Sequence, residues 1–216
     1  MTLRGRYVEV RPLTSAAYAD LYAATCGAED DDLWVYRPVP RPTSLPTLWM
    51  HLADQVESED RVGFALVPLE GETAGRAAGL ATYLNVHPGH GTIELGGVLF
   101  GRSLQRTRAA TEAVHLLMAH ALDDLGYRRF EWKCDSLNEP SRRAAARLGF
   151  TEEGRFRRHM VTQGRSRDSD WFSVVDDEWP ALREAHRRWL APDNFDAAGG
   201  QVARLADLIP AAAASS

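Results

Sequence analysis

Three groups of residues in this chain combine side-chain types and spacings that chemistry can use. The first is a strand-like run over 92–100, TIELGGVLF, in which Glu94 precedes the glycine pair Gly96 and Gly97. Alternation places Glu94 on one face with Gly96 and Val98, and Ile93, Leu95 and Leu99 on the other. A carboxylate so placed is either a salt-bridged strand residue or a general base. Paired glycines inside a strand signal a bulge or a close approach of backbone to another group. The second group, GRSLQRTRAA over 101–110, runs from that strand into a helix. Such a junction aims unpaired backbone N–H groups and the positive end of a helix dipole at one point, which favours phosphate. Arg102, Arg106 and Arg108 add positive charge there; an ordinary turn with solvated arginines is the competing reading. The third group is Asn138 and Ser141 in NEPS. Asn138 has the chemistry of a helix cap, and Ser141 falls in the first turn behind it.

The surrounding pattern supplies the elements that hold these groups. Alternating or continuous apolar runs predict strands over 6–12, 62–68, 75–85, 92–100, 128–134, 151–163 and 169–176. A GRSRD turn at 164–168 is expected to join the last two. Helical spacing predicts helices over 15–26, capped by Thr14, over 44–58 and over 177–190. Two more follow the second and third groups, ended by Gly126 and Gly149. Residues 28–46 carry an acidic run (Glu29 to Asp32), Trp34, Tyr36 and four prolines, and read as a long loop. The element order makes the chain a mixed α/β protein, with one domain over 1–190. Residues 191–216, rich in Ala, Gly and Pro, are expected to form a partly disordered tail.

Composition excludes several classes. Of 216 residues, 44% are apolar and 25% charged, which argues against wholesale disorder. The net charge of −5 argues against a nucleic-acid partner. Lys133 is the one lysine among 25 basic residues. Cys26 and Cys134 are too few for a disulfide framework, and Cys134 reads as a small core residue. His87 and His90 in HPGH lack an acidic or cysteine partner set, so a turn is expected and no metal. Arg155, Arg157, Arg158, Arg165 and Arg167 read as a solvated hairpin face, with RNA contact by a ribosome-associated protein as the minor alternative. No apolar run approaches membrane-spanning length, and the N-terminus has no hydrophobic signal core, so a cytoplasmic location is expected.

The segment 94–160, from ELGGVLFGRSLQRTRAATEA through NEPSRRAAARLGFTEEGRFRRHM, resembles the GNAT superfamily of acyl-CoA-dependent acetyltransferases. Within it, the likeness is to the branch that acetylates N-terminal alanines of ribosomal proteins. It is continuous over about 92–176, and weaker but collinear over 5–13. The resemblance implies a splayed, mostly antiparallel mixed sheet flanked by helices, with acetyl-CoA as co-substrate and no metal. The family's pyrophosphate loop falls on Gln105, Arg106, Thr107, Arg108, Ala109 and Ala110. Arg108 stands where the family has glycine, and a guanidinium there can pair with phosphate. The backbone of Gly97, Val98 and Leu99, together with Asn138, is implied to hold the pantetheine arm. The implied roles are general base for Glu94 and proton donor to the leaving thiolate for Ser141. Trp34 and Tyr36, in the polar loop, are candidates for recognising the acceptor amine, either a protein N-terminus or a small molecule. Direct attack in a ternary complex is implied, and family members often form homodimers. The alternative of another class is a non-catalytic acyl-CoA-binding or regulatory module of the same fold, which Arg108 favours.

Overall fold

Runs with apolar side chains at every second position become strands, because a strand sends alternate side chains to opposite faces. The computed structural model describes residues 1–56, 60–197 and 199–210. Its strands are β1 (Leu3–Arg4), β2 (Val8–Pro12), β3 (Val62–Pro68), β4 (Gly79–His87), β5 (Thr92–Phe100), β6 (Arg129–Asp135), β7 (Thr151–Thr162) and β8 (Arg165–Val175). They form one sheet in the order β1-β2-β3-β4-β5-β6-β8-β7. All neighbours are antiparallel except β5 and β6, which run parallel. A parallel pair needs a crossover, and the helix between them supplies it. The expected class holds: a mixed α/β domain whose mostly antiparallel sheet is flanked by helices.

The pairing of β5 with β6 covers only Thr92↔Arg129, Ile93↔Phe130 and Glu94↔Glu131, after which the strands part. A bulge in β5 begins just beyond. Leu99 pairs with Leu80 but Gly96 with Thr82, so β5 carries one extra residue. Gly97 absorbs it at φ +58, a conformation that strains any residue with a Cβ. The bulge also shifts the alternation. Leu99 packs with Leu80, Leu21 and Trp34, and not on the side of Ile93 and Leu95 as simple alternation predicts.

Two cores result. On one face lie α1 (Tyr18–Thr25), the short α2 (Asp31–Trp34) and α3 (Leu45–Val56), with Leu21, Trp34, Leu48 and Leu52 buried against Ala65 and Leu80. On the other lie α4 (Arg108–Ala119), α5 (Glu139–Arg147) and α6 (Trp179–Trp189), around Leu66, Tyr83, Leu117 and Phe130. A wide turn over His120–Asp124 extends α4.

Several expectations change. Thr14 precedes a 3-10 turn but makes no side-chain cap bond. The last hairpin turns at Gln163 (φ 49) and Gly164 (φ 73), a left-handed pair suited to a two-residue turn, so 165–168 belong to β8. The segment after α6 folds back: Phe195 packs edge-on against Tyr7 and Trp189, and Leu205, in α7 (Leu205–Leu208), is buried. Ala198 and residues 211–216 of the expected tail lie outside the described residues, as do 57 and 58 of the expected second helix.

Two histidines between α4 and α6 make the core sensitive to acid. The rings of His115 and His186 lie tilted against each other with centroids 5.4 Å apart, and His186 Nε2 donates to Leu148 O. Burial lowers His115 to about 4 and His186 to about 3. Both are depressed below the unfolded value, so the unfolded chain takes up protons first. The stability they give is complete above about pH 6.5 and is lost as pH falls towards 3. Two protons bound only on unfolding correspond to at most about 2.7 kcal/mol per pH unit. We expect the His115→Leu/His186→Gln variant to show a shallower fall of melting temperature between pH 6.5 and 4. An unchanged slope would remove these histidines from the acid response.

Candidate active site

The fork between β5 and β6 brings Glu94 to its closed end, the last paired position. Glu94 is only 2% exposed, and its Oε2 accepts from Asn85 Nδ2 at 2.7 Å and pairs with Lys133 Nζ at 3.1 Å. No hydrogen bond among the described residues engages Oε1. Gly96 keeps that oxygen clear: a Cβ there would lie 3.1 Å from Glu94 Oε1 and 2.5 Å from Leu84 Cδ1. The glycine pair therefore divides its work, Gly96 giving room and Gly97 the bend. Lys133 lies 4.8 Å from the centre of the Trp171 ring. Sequence reasoning missed its role, although its being the chain's one lysine was a visible signal.

One arm of the fork leads to the N-terminus of α4. Thr107 caps it, accepting from Ala110 N at 3.1 Å. The N–H groups of Arg106, Thr107, Arg108 and Ala109 meet no acceptor among the described residues, as expected at a helix start that could hold an anion. The arginines differ from expectation. Arg102 pairs with Asp30 and Asp32 and donates to Glu29 O, so it neutralises the acidic run. Arg108 turns away to Glu70 at 2.6 Å and lies 4.5 Å from the centre of the Tyr7 ring and 4.8 Å from that of Phe195. Its guanidinium is thus committed to packing. Gln105 bends back to donate to Phe100 O. Arg106, at φ +60, stays exposed beside the loop.

The other arm leads to α5. Asn138 Oδ1 accepts from Ser141 N at 3.2 Å, as a cap should, and no hydrogen bond among the described residues engages Nδ2. Ser141 Oγ accepts from Trp132 Nε1 at 3.0 Å, and the hydroxyl is also in hydrogen-bonding reach of Cys134. Burial pushes the neighbouring Cys134 thiol up to about 11, which suits packing and not nucleophilic attack.

The loop before α3 meets the β7–β8 hairpin and the turn before α5. Tyr36 Oη donates to Leu137 O at 2.8 Å, and Arg165 lies 5.8 Å from the centre of its ring while pairing with Asp135. Trp34 does not line the cleft. It is 1% exposed in the second core, and its Nε1 donates to Thr25 O. Its neighbour Arg37 does reach the fork, donating from Nη1 to Gly97 O at 2.6 Å. On the hairpin, Arg155 pairs with the fully buried Asp170 and Arg167 donates to Ser169. Arg157 and Arg158 remain exposed. His159, hydrogen-bonded to Ser169, is lowered from its ordinary value by burial and by Lys133 and Arg167.

Comparison with known proteins accounts for this arrangement. Residues 8–151 match the family model described as an acetyltransferase (GNAT) domain. A GCN5-related N-acetyltransferase from Brucella melitensis is 40% identical, with a TM-score of 0.93 over 96% of this chain and 93% of that one. A probable GNAT-family acetyltransferase from Chromobacterium violaceum is 38% identical, with a TM-score of 0.77 over 83% of this chain and 88% of that one. Mycobacterium smegmatis RimJ, in complex with CoA-disulfide, shares the fold at 21% identity and a TM-score of 0.67 over 83% of this chain and 87% of that one. No curated protein matches the chain. No helix among the described residues is long and apolar enough to cross a membrane. The parted strands, the unpaired N–H groups of Arg106 to Ala109 and the residues between them belong to a member of the GNAT family, an acyl-CoA-dependent acetyltransferase.

Proposed function

We propose that this transferase moves an acetyl group from acetyl-CoA to a primary amine by direct attack in a ternary complex. The observation that carries the reading is Glu94, fixed at the closed end of the fork by Asn85 and Lys133 with one oxygen unengaged. Acetyl-CoA supplies the acetyl group as an activated thioester. The N–H groups of Arg106 to Ala109 would receive its pyrophosphate, and Asn138 Nδ2 and the β5 bulge its pantetheine. Glu94 Oε1 takes the proton that the amine sheds, directly or through water. The nitrogen bonds to the acetyl carbon as the C–S bond breaks, and it gives its remaining extra proton to solvent. Ser141 donates a hydrogen bond to the departing thiolate, which is then protonated by solvent. A backbone N–H near Gly97 to Leu99 stabilises the carbonyl oxygen as it becomes negative.

Among amines, the resemblance of 94–160 to the branch acting on ribosomal N-terminal alanine favours protein N-termini. The non-catalytic alternative drew on Arg108, and that side chain is paired with Glu70 and packed on Tyr7 and Phe195. The test is release of free thiol from acetyl-CoA with a panel of peptide N-termini, amino acids and polyamines. Ser141→Ala is expected to lower turnover about tenfold while melting temperature and acetyl-CoA affinity stay near wild type. A rise in melting temperature with acetyl-CoA but no thiol release with any amine would leave the non-catalytic module.

A further inference from the structure

Arg37 is a buried cation that the roles above do not use. It is 8% exposed, and among the described residues no carboxylate pairs with it. Its Nη1 donates to Gly97 O at 2.6 Å and lies 3.4 Å from Val98 O. Its Nε is buried without an acceptor among the described residues. The guanidinium lies 5.6 Å from the centre of the Trp34 ring, and Gln163 Nε2, at the tip of the β7–β8 hairpin, donates to Arg37 O at 2.9 Å. One residue therefore ties the loop before α3, the β5 bulge and the hairpin together. Burial lowers its pKa to about 10, still well above neutral pH, so the charge stays.

We propose that Arg37 is a positioning residue for acetyl transfer: it fixes the bulge peptides that stabilise the thioester oxygen and places an unshared positive charge behind them. A trans peptide holds each C=O antiparallel to the N–H of the next residue. Anchoring the carbonyls of Gly97 and Val98 therefore sets the directions of the Val98 and Leu99 N–H groups. The two peptide units flank Val98 and directly follow Gly97, where φ +58 leaves the backbone free to choose another orientation without such an anchor. A cation bonded to their carbonyls also polarises these units, and it opposes no carboxylate that would cancel its field. An arginine kept only for folding would ordinarily have an acidic partner, because an unpaired buried charge costs stability. This inference rests on the transferase reading.

The experiment compares Arg37→Met and Arg37→Lys with wild type for melting temperature, kcat, and KM for acetyl-CoA and for the best amine. Arg37→Met removes the charge at similar volume and is expected to lower kcat 100-fold or more, the scale of a lost oxyanion donor. Both KM values should stay within threefold, and the melting temperature should be equal or higher. Arg37→Lys keeps the charge and should recover at least tenfold of the lost kcat. The proposal fails if Arg37→Met keeps kcat within threefold, or if the loss appears in KM for the amine. It also fails if Arg37→Met melts well below wild type and Arg37→Lys recovers stability but not turnover. If Arg37→Met does not fold, Arg37→Lys decides alone: kcat reduced three- to thirtyfold at unchanged KM supports the proposal, and any other result overturns it. Absence of thiol release by wild type would instead sink the transferase reading itself.

Discussion

Glu94→Gln should lower kcat at pH 7 by roughly 10²–10⁴-fold, the usual worth of a positioned base. An amine acceptor is mostly protonated at neutral pH and must lose a proton before it attacks. Glutamine preserves the shape of the side chain and an oxygen that can accept from Asn85 Nδ2, yet it cannot take that proton. The substitution has a second consequence, because Lys133 loses the carboxylate it pairs with at 3.1 Å while only 16% exposed. Some loss of stability is therefore expected, and the double variant with Lys133→Met should restore it without restoring turnover. Affinity for acetyl-CoA should barely move. The deficit should shrink as pH rises, since free amine then becomes abundant without help. A loss below about threefold at pH 7 would reduce Glu94 to a strand residue that neutralises Lys133.

What could be read from the residues alone follows the range of the forces involved. The capping of α5 by Asn138 is local, settled within four residues, and the sequence shows it. The bulge in β5 was foreshadowed by Gly96 and Gly97, although alternation carried through it put Leu99 on the wrong side, and the parting of β5 and β6 was implied by the family resemblance alone. The arginines near the α4 N-terminus could not be sorted this way. Arg102 is claimed by Asp30 and Asp32 about 70 residues away, and Arg108 by Glu70, Tyr7 and Phe195. Charge counted along the chain says nothing of a partner brought by the fold. Trp34 failed for the same reason, since prolines and acidic neighbours make its segment look exposed while its ring fills a core. Arg37 carries no sequence signal at all, because its contact with Gly97 spans 60 residues.

Glu112→Ala should cost about 4 kcal/mol and lower the melting temperature by about 10 °C, although the residue touches nothing in the fork. Glu112 sits in TRAATEA, within the stretch that carries the family resemblance, yet its work is structural. It projects from α4 to the turn between β1 and β2 and is 5% exposed. Its carboxylate accepts from the N–H groups of Arg6, Tyr7 and Val8 at 2.8, 2.6 and 3.0 Å. Gly5 is part of the same fit, since a Cβ there would collide with the Glu112 carboxyl group. Alanine would leave these three donors without acceptors, and each such loss costs roughly 1–3 kcal/mol when water cannot replace the partner. Glu112→Gln should lose about half as much. Its oxygen can serve Tyr7 and Val8, while its amide nitrogen meets the Arg6 N–H donor to donor. Gly5→Ala should destabilise as well, by forcing the carboxylate out of its place. At a temperature where all variants are folded, kcat should stay within threefold of wild type, which separates this anchor from the chemistry at Glu94. Thermal melts and steady-state rates on the three variants decide it, and a cost below 1 kcal/mol for Glu112→Ala would mean that water reaches the turn and replaces the carboxylate.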